Sequence, residues 1–324
     1  MVLGVVGSSP ITYPEITLKK RRKFLRFFNV IITHINLNIL VTSTVNIIFE
    51  IDSIFQKKGW NNFENSNEIF DNICKLASFI SNEQDHYQLL IELLERFTWI
   101  SISQYMSFSK IELENIIIQL PPQVKNIYFF PIIKPKHINK TKSANFFLYI
   151  LKAIFPQIKS RTLTFEDITT FSDLEKKRFG RTDMLILVDD FIGTGETLNQ
   201  CLNKIDSLKN PSININKILV LCLAIKNDTF ISYSGRIKIF CNQKIDKGIS
   251  DFYFGNDLIA KKSLMLSLEK RLFNICYKQF SFGYNNSESL ITLLRTPDNT
   301  FPLFWHKYKK SLKIHPPFPR DEKQ

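Results

Sequence analysis

Asp189 and Asp190 stand together at the end of the apolar run Leu185-Ile186-Leu187-Val188, and Phe191-Ile192 and the turn Gly193-Thr194-Gly195-Glu196-Thr197 follow them. A buried strand in this pattern delivers two carboxylates at its carboxyl end, where open α/β sheets bind their ligands. Residues 193–197 turn straight into a helix, so their main-chain N–H groups and the positive end of the helix dipole can hold a phosphate. Glycine lets the backbone approach a ligand closely, and the Thr194 and Thr197 hydroxyls add donors. Two acids nearby suit ribose hydroxyls or a hydrated Mg²⁺, which takes oxygen ligands and keeps several waters. The plainer reading is a connector in which the aspartates cap the helix. It accounts for one aspartate, not for two together with both threonines. A Walker loop is excluded, because the GxxxxGK(S/T) spacing and its lysine are missing.

Other elements must carry that turn. Residues 60–120 have apolar side chains at three- and four-residue spacing (Phe70, Ile73, Cys74, Ala77, then Leu89, Leu90, Leu93, Leu94, Phe97), which predicts a helical unit. Ser109 and Glu112 have capping-box spacing, and Pro121-Pro122 ends the helix that Ser109 opens. A boundary drawn there gives a basic, variable segment 1–58, a helical unit 59–122, and an α/β domain 123–324 with an aromatic tail. In that domain strands are expected at 127–133, 161–165, 184–188, 218–225, 237–241 and 290–294, and helices at 143–155, 195–208 and 263–277. Strands alternating with helices need crossover connections, so the fold class is α/β with a mainly parallel sheet covered on both faces.

Composition narrows the partners. A formal net charge of +13 over 324 residues attracts phosphorylated ligands, nucleic acid or acidic membranes without choosing among them. The run Lys19-Lys20-Arg21-Arg22-Lys23 with Arg26 reads as a solvated arm or as a nucleic-acid patch. Cys74, Cys201, Cys222, Cys241 and Cys276 form no CxxC pair and leave one over, and the histidines are scattered. Neither a disulfide framework nor a zinc site is indicated, and a reduced cytoplasm is expected. Residues 27–51 are apolar, but Asn29, Thr33, His34, Asn36 and Asn38 keep any uninterrupted run below the roughly 18 residues of a membrane span. No membrane partner is therefore expected. Residues 1–14 read as an unstructured lead or as a start placed too far upstream.

Across residues 185–198 the chain resembles the type I phosphoribosyltransferases, whose signature is an apolar strand, two acids, two mostly apolar residues and a Thr-Gly-x-Thr turn. Phe191 is larger than the usual aliphatic residue, and Gly193 stands where Thr or Ser is more frequent. Phe282-Gly283-Tyr284, the stretch from Thr296-Pro297-Asp298-Asn299 to Trp305, and Pro316-Pro317-Phe318-Pro319-Arg320 are similar to a branch of phosphoribosyltransferase-like proteins of bacterial conflict systems. Those occur in anti-phage operons and with some retrons. The likeness spans about residues 59–320. It implies a phosphoribosyl diphosphate or nucleotide ligand bound with Mg²⁺. On that likeness Gly193, Thr194, Gly195, Glu196 and Thr197 hold the 5-phosphate. Asp189 and Asp190 hold the ribose hydroxyls, carry catalysis and meet Mg²⁺ through the ligand. Lys142 and Ser143 meet the leaving diphosphate, and Lys176, Lys177 or Arg178 close over it. Asn299 and Trp305 either roof the acceptor pocket or pack as a core cover. The likeness also implies a defence effector with a partner protein or nucleic acid. A nucleotide-sensing regulator on the same fold and a basic nucleic-acid scaffold are the rival classes.

Overall fold

Apolar side chains three and four residues apart wind the first part of the chain into helices. The computed structural model describes residues 38–137, 142–158, 163–210, 212–274 and 280–320; the basic run at 19–26, the lead at 1–14 and Cys276 lie outside them. Contacts divide the chain into two compact units, Met1–Phe79 and Ile80–Gln324. In the first, α1 (Asn38–Lys58) and α2 (Ser66–Ile80) frame an aromatic cluster. There the Phe55 ring meets Trp60 and Phe70 edge-on at 5.2 and 5.1 Å, the arrangement that ring quadrupoles favour.

The second unit opens with α3 (Gln84–Arg96), the two-residue strand β1 (Thr98–Trp99) and α4 (Ile102–Gln119). The helix expected to open at Ser109 is capped instead by Ser101, whose main-chain N–H donates to Gln104 Oε1 at 2.9 Å. Ser109 and Glu112 are buried within it. A Ser-x-x-Gln box serves as well as Ser-x-x-Glu, and β1 ends directly before it, so the earlier box prevails. The helix stops before the two prolines, with Leu120 as its C-cap. Residues 59–122 form no separate unit: α4 puts Leu113, Ile116 and Ile117 into the core of the sheet, and the dividing line falls at Phe79.

Five strands follow: β2 (Asn126–Pro131), β3 (Thr164–Asp167), β4 (Asp183–Ile192), β5 (Ile218–Lys226) and β6 (Lys238–Ile245). They pair in parallel throughout, in the order β3-β2-β4-β5-β6. On one face α4 and α5 (Ser143–Ile154) bring Ile116, Phe147 and Leu151 against Ile127, Phe129, Ile186 and Val188. On the other, α6 (Phe171–Lys176), α7 (Glu196–Asp206) and α8 (Asn227–Tyr233) bring Leu174, Leu198, Leu202 and Tyr233 against Tyr128, Phe130, Leu185 and Leu187. Alternate residues of β4 thus serve opposite faces, and both faces are apolar, which is why residues 184–188 read as one continuous run.

Several bounds differ from the sequence expectation. β4 continues to Ile192, so both acids lie on the strand rather than after it. α9 (Gly255–Leu272) begins earlier than residue 263, and the strand expected at 290–294 shrinks to β7 (Ile291–Thr292), paired in parallel with β1. Residues 280–320 are fastened by side chains as well as by β7. The Glu288 carboxylate accepts the main-chain N–H groups of Ile249 and Ser250 at 3.0 and 2.7 Å, and Phe97 stacks on Phe318 at 5.1 Å.

Phe147 is fully buried between α5 and the sheet, whereas Tyr149 on the same helix is exposed. Phe147→Ala is expected to lower unfolding free energy by about 3–5 kcal/mol, and Tyr149→Ala to change it by less than about 0.5 kcal/mol. Urea titration of the two variants checks the pair.

Candidate functional site

The chain runs outward in one direction from β2 to β3 and in the other from β4 through β5 to β6, so the strand order reverses between β2 and β4. Loops leaving neighbouring strands part at such a point, and ligands of open α/β sheets bind in the crevice that results. Here the crevice is a cleft of about 860 Å³, within the usual range for small-molecule sites. Its floor is the end of β4 and the bend at 193–197. One wall carries Ile132, Ile133 and Lys134 after β2, with Lys142 and Ser143 at the start of α5. The tail forms the opposite side with Tyr284, Arg295, Thr296, Asp298, Asn299 and Arg320.

Successive residues of a strand point to opposite faces, so the two acids find different partners. Asp190 is buried, and its Oδ2 accepts the Tyr105 hydroxyl of α4 at 2.9 Å. The same Tyr105 oxygen accepts the main-chain N–H of Leu294 at 3.2 Å. Burial, and then the Asp190 charge, push the Tyr105 hydroxyl far up, so it remains a donor. Asp189 Oδ1 accepts the main-chain N–H of Asp190 at 2.9 Å and Ser143 Oγ at 3.3 Å. Burial and the neighbouring Asp190 carboxylate raise the Asp189 carboxyl well above its ordinary range.

The bend is built so that its carbonyls turn inward. Gly193 O accepts Thr229 Oγ1 at 2.7 Å and Gly195 O accepts the Tyr233 hydroxyl at 3.3 Å, both from α8. Gly195 sits at φ +75°, a left-handed conformation that favours glycine. Among the described residues, the main-chain N–H groups of Gly193, Thr194, Gly195, Glu196 and Thr197 donate to no protein acceptor. The Glu196 side chain is drawn aside: Lys134 Nζ lies 2.7 Å from Oε1, and the Tyr284 hydroxyl donates to Oε2 at 3.0 Å. The hydrogen bond from Lys134, followed by that from Tyr284, holds its carboxyl below the usual range. An anion bound at the bend would therefore face unpaired N–H groups, with the bend's own carboxylate, Glu196, already occupied.

The structure thus brings Asp189, Asp190, all five bend residues, Lys142, Ser143 and Asn299 to one cleft. It does not bring Lys176, Lys177 or Arg178 there. These residues lead into the amino end of β4, and Asp189 lies six residue steps along the strand from Asp183, roughly 20 Å at the rise of a strand. Lys177 instead pairs with Glu166 at 3.1 Å and lies over the Tyr128 ring at 4.2 Å. Trp305 is a packing residue: it is buried, its Nε1–H donates to Thr300 O at 2.8 Å, and it does not line the cleft. Asn299 lies against Gly193, on the side of the bend. Sequence reasoning missed Lys134, Tyr284, Arg295 and Arg320 as lining residues, and Tyr105 as the partner of Asp190. Lys134 heads the basic stretch after β2, and Tyr284 and Arg320 lie in the stretches that carry the likeness, whereas Arg295 and Tyr105 carried no such signal.

The PRTase-CE family model matches residues 25–320, and the chain belongs to that family. No curated protein matches it. Among solved structures it is similar to the APRTase of Giardia lamblia complexed with 9-deazaadenine, at 10% identity over 43% of this chain and 78% of that one, with a TM-score of 0.30. It is also similar to the hypoxanthine-guanine phosphoribosyltransferase of Schistosoma mansoni in complex with IMP, at 16% identity over 44% and 64%, with a TM-score of 0.27. A purine phosphoribosyltransferase of Pyrococcus horikoshii matches at 13% identity over 46% and 86%, with a TM-score of 0.26. Likenesses this distant assign no activity to the chain. Among the described residues, no helix is long and apolar enough to cross a membrane, and no group of three or more His, Cys, Asp or Glu side chains is placed to hold a metal ion.

A carboxyl whose folded-state pKa is raised binds more protons folded than unfolded, so its contribution favours folding at low pH and is lost as pH rises from about 4 through the raised value. Asp189→Asn keeps an oxygen to accept from Asp190 N–H and Ser143 and removes that charge. The variant is expected to melt higher than the wild type at pH 7–8, with the difference closing toward pH 4. Thermal melts across that range check it, and a wild type that equals or exceeds the variant at pH 8 would contradict the strained acid pair.

Proposed function

We propose that the chain binds phosphoribosyl diphosphate, or a related ribose-phosphate nucleotide, together with Mg²⁺, and transfers the pentosyl group to an acceptor. The observation that carries this reading is the row of unpaired main-chain N–H groups at residues 193–197 beside two acids in one cleft. The N–H groups and the amino end of α7 bind the 5-phosphate. Asp189 and Asp190 accept the ribose hydroxyls. Lys142 and Ser143 stand at the cleft's other wall, where the diphosphate leaves C1 as the acceptor bonds to it, and most of the catalysis is electrostatic. The donor set fits a cation that arrives with the diphosphate: two carboxylates reach the cleft, and Mg²⁺ uses one or two carboxylates plus substrate phosphates. When bound, the cation would neutralise charge on the leaving diphosphate.

An effector role in bacterial anti-phage defence, exercised in the cytoplasm with a partner protein or nucleic acid, draws support from the tail. The stretches resembling conflict-system proteins are the ones that close the cleft, through Tyr284, Thr296, Asp298, Asn299 and Arg320. A non-catalytic, nucleotide-sensing role rests on a separate contact. The Tyr284 hydroxyl joins the tail directly to Glu196 in the bend, so occupancy of the bend can be passed to the tail's outer surface.

Calorimetric titration with phosphoribosyl diphosphate and MgCl₂ is expected to show binding that the Asp189→Asn, Asp190→Asn double variant loses by at least about 100-fold, two hydrogen-bonded acids being removed. Equal binding by that variant would overturn the assignment of the acids. Release of diphosphate with candidate acceptors then separates enzyme from sensor.

A further inference from the structure

Asn299 is 9% exposed and lines the cleft, yet its Nδ2 meets no hydrogen-bond acceptor among the described residues. Native proteins leave few buried donors in that state, and such a group asks for an explanation. Slack in the chain does not provide one, because the main chain of Asn299 is firmly held. Its carbonyl accepts Ser287 Oγ at 2.6 Å and the Ser289 N–H at 3.2 Å. Gly283 packs so closely beneath that a Cβ there would lie 2.7 Å from the Asn299 carbonyl carbon. The tail thus fixes this backbone and leaves the amide unpaired.

The place where that amide ends is specific. A Cβ built on Gly193 would meet Asn299 Oδ1 first, and would lie 2.5 Å from Cγ and 2.7 Å from Nδ2, nearer than real Cβ contacts come. The amide therefore fills the space that a side chain at 193 would take. Gly193 is the position where the resemblance noted above has Thr or Ser more often, and its φ lies outside the left-handed region. Glycine is demanded there by the neighbour, not by the backbone.

We propose that Asn299 donates its Nδ2–H to the phosphate held by residues 193–197, supplying from the tail the donor that Gly193 lacks. The inference rests on the phosphate reading of the bend and adds to it a residue more than a hundred positions away in sequence. It also makes phosphate binding depend on a correctly folded tail, which joins the two parts of the chain that the likeness singled out.

The test is titration of the full chain with phosphoribosyl diphosphate and MgCl₂. Asn299→Asp keeps the shape and replaces the donor by a carboxylate facing phosphate, and affinity is expected to fall by about 100-fold or more; Asn299→Ala is expected to lose about 10-fold. Gly193→Thr alone should clash with the amide and weaken binding. The pair Gly193→Thr, Asn299→Ala returns a hydroxyl where the amide was removed, and is expected to bind at least several-fold more tightly than Asn299→Ala. The pair Gly193→Val, Asn299→Ala fills the same space without a donor, and a purely packing role would rescue it as well as the threonine pair, whereas donation to phosphate predicts rescue by threonine alone. Thermal melts confirm that each variant is folded, and should Asn299→Ala fail to fold, Asn299→Asp carries the test. Binding by Asn299→Asp within about twofold of the wild type, or a threonine pair no better than Asn299→Ala or than the valine pair, would overturn this inference alone. A wild type that binds no phosphoribosyl diphosphate would instead sink the reading beneath it.

Discussion

Two carboxyl groups on consecutive residues of a strand buried on both faces are the constraint around which this structure is arranged. Burial and the neighbouring Asp190 carboxylate both disfavour a charged Asp189 there. Their partners come from separate parts of the second unit: Tyr105 on α4, Ser143 at the head of α5, and the main-chain N–H of Asp190 itself. Tyr105 in turn accepts the N–H of Leu294, so the tail is tied to the same acid. Elements distant in sequence thus converge on one pair of side chains. A protein with no use for that pair would be more stable without it, which is the usual mark of a site kept for function.

The cleft follows from topology. With strands ordered β3-β2-β4-β5-β6, the loops after β2 and β4 must separate, and the acids lie at the end of β4. The bend then gains its character from what is bonded and what is not. Thr229 and Tyr233 bind the carbonyls of Gly193 and Gly195, Lys134 and Tyr284 bind the Glu196 carboxylate, and the N–H groups are left over. Each of these contacts removes an acceptor that would otherwise compete with an incoming anion.

Much of this was legible in the sequence because it is written in short-range patterns. The continuous apolar run before Asp189 marked a strand covered on both faces, and the Gly-Thr-Gly turn marked the start of α7. The first capping box was misplaced because Ser109 and Glu112 have the right spacing while Ser101 and Gln104 have it too, and spacing cannot say which serine follows a strand. The lysines at 176 and 177 and Arg178 were misjudged for another reason. A charged loop before a parallel strand reaches its amino end, whereas the acids stand at the other end. The tail was least legible: Tyr284, Arg295, Asn299 and Arg320 are gathered by the packing of Phe318, Trp305 and Glu288, which leaves no periodic trace.

The account predicts where a ligand must be felt first. In ¹⁵N-labelled protein, the amide resonances of Gly193, Thr194, Gly195, Glu196 and Thr197 can be followed while phosphoribosyl diphosphate and MgCl₂ are added. Large, saturable shifts concentrated at those amides, absent when ribose is added instead, are the predicted result. Amides that stay in place while shifts appear elsewhere, or nowhere, would contradict the claim that this bend is a phosphate cradle.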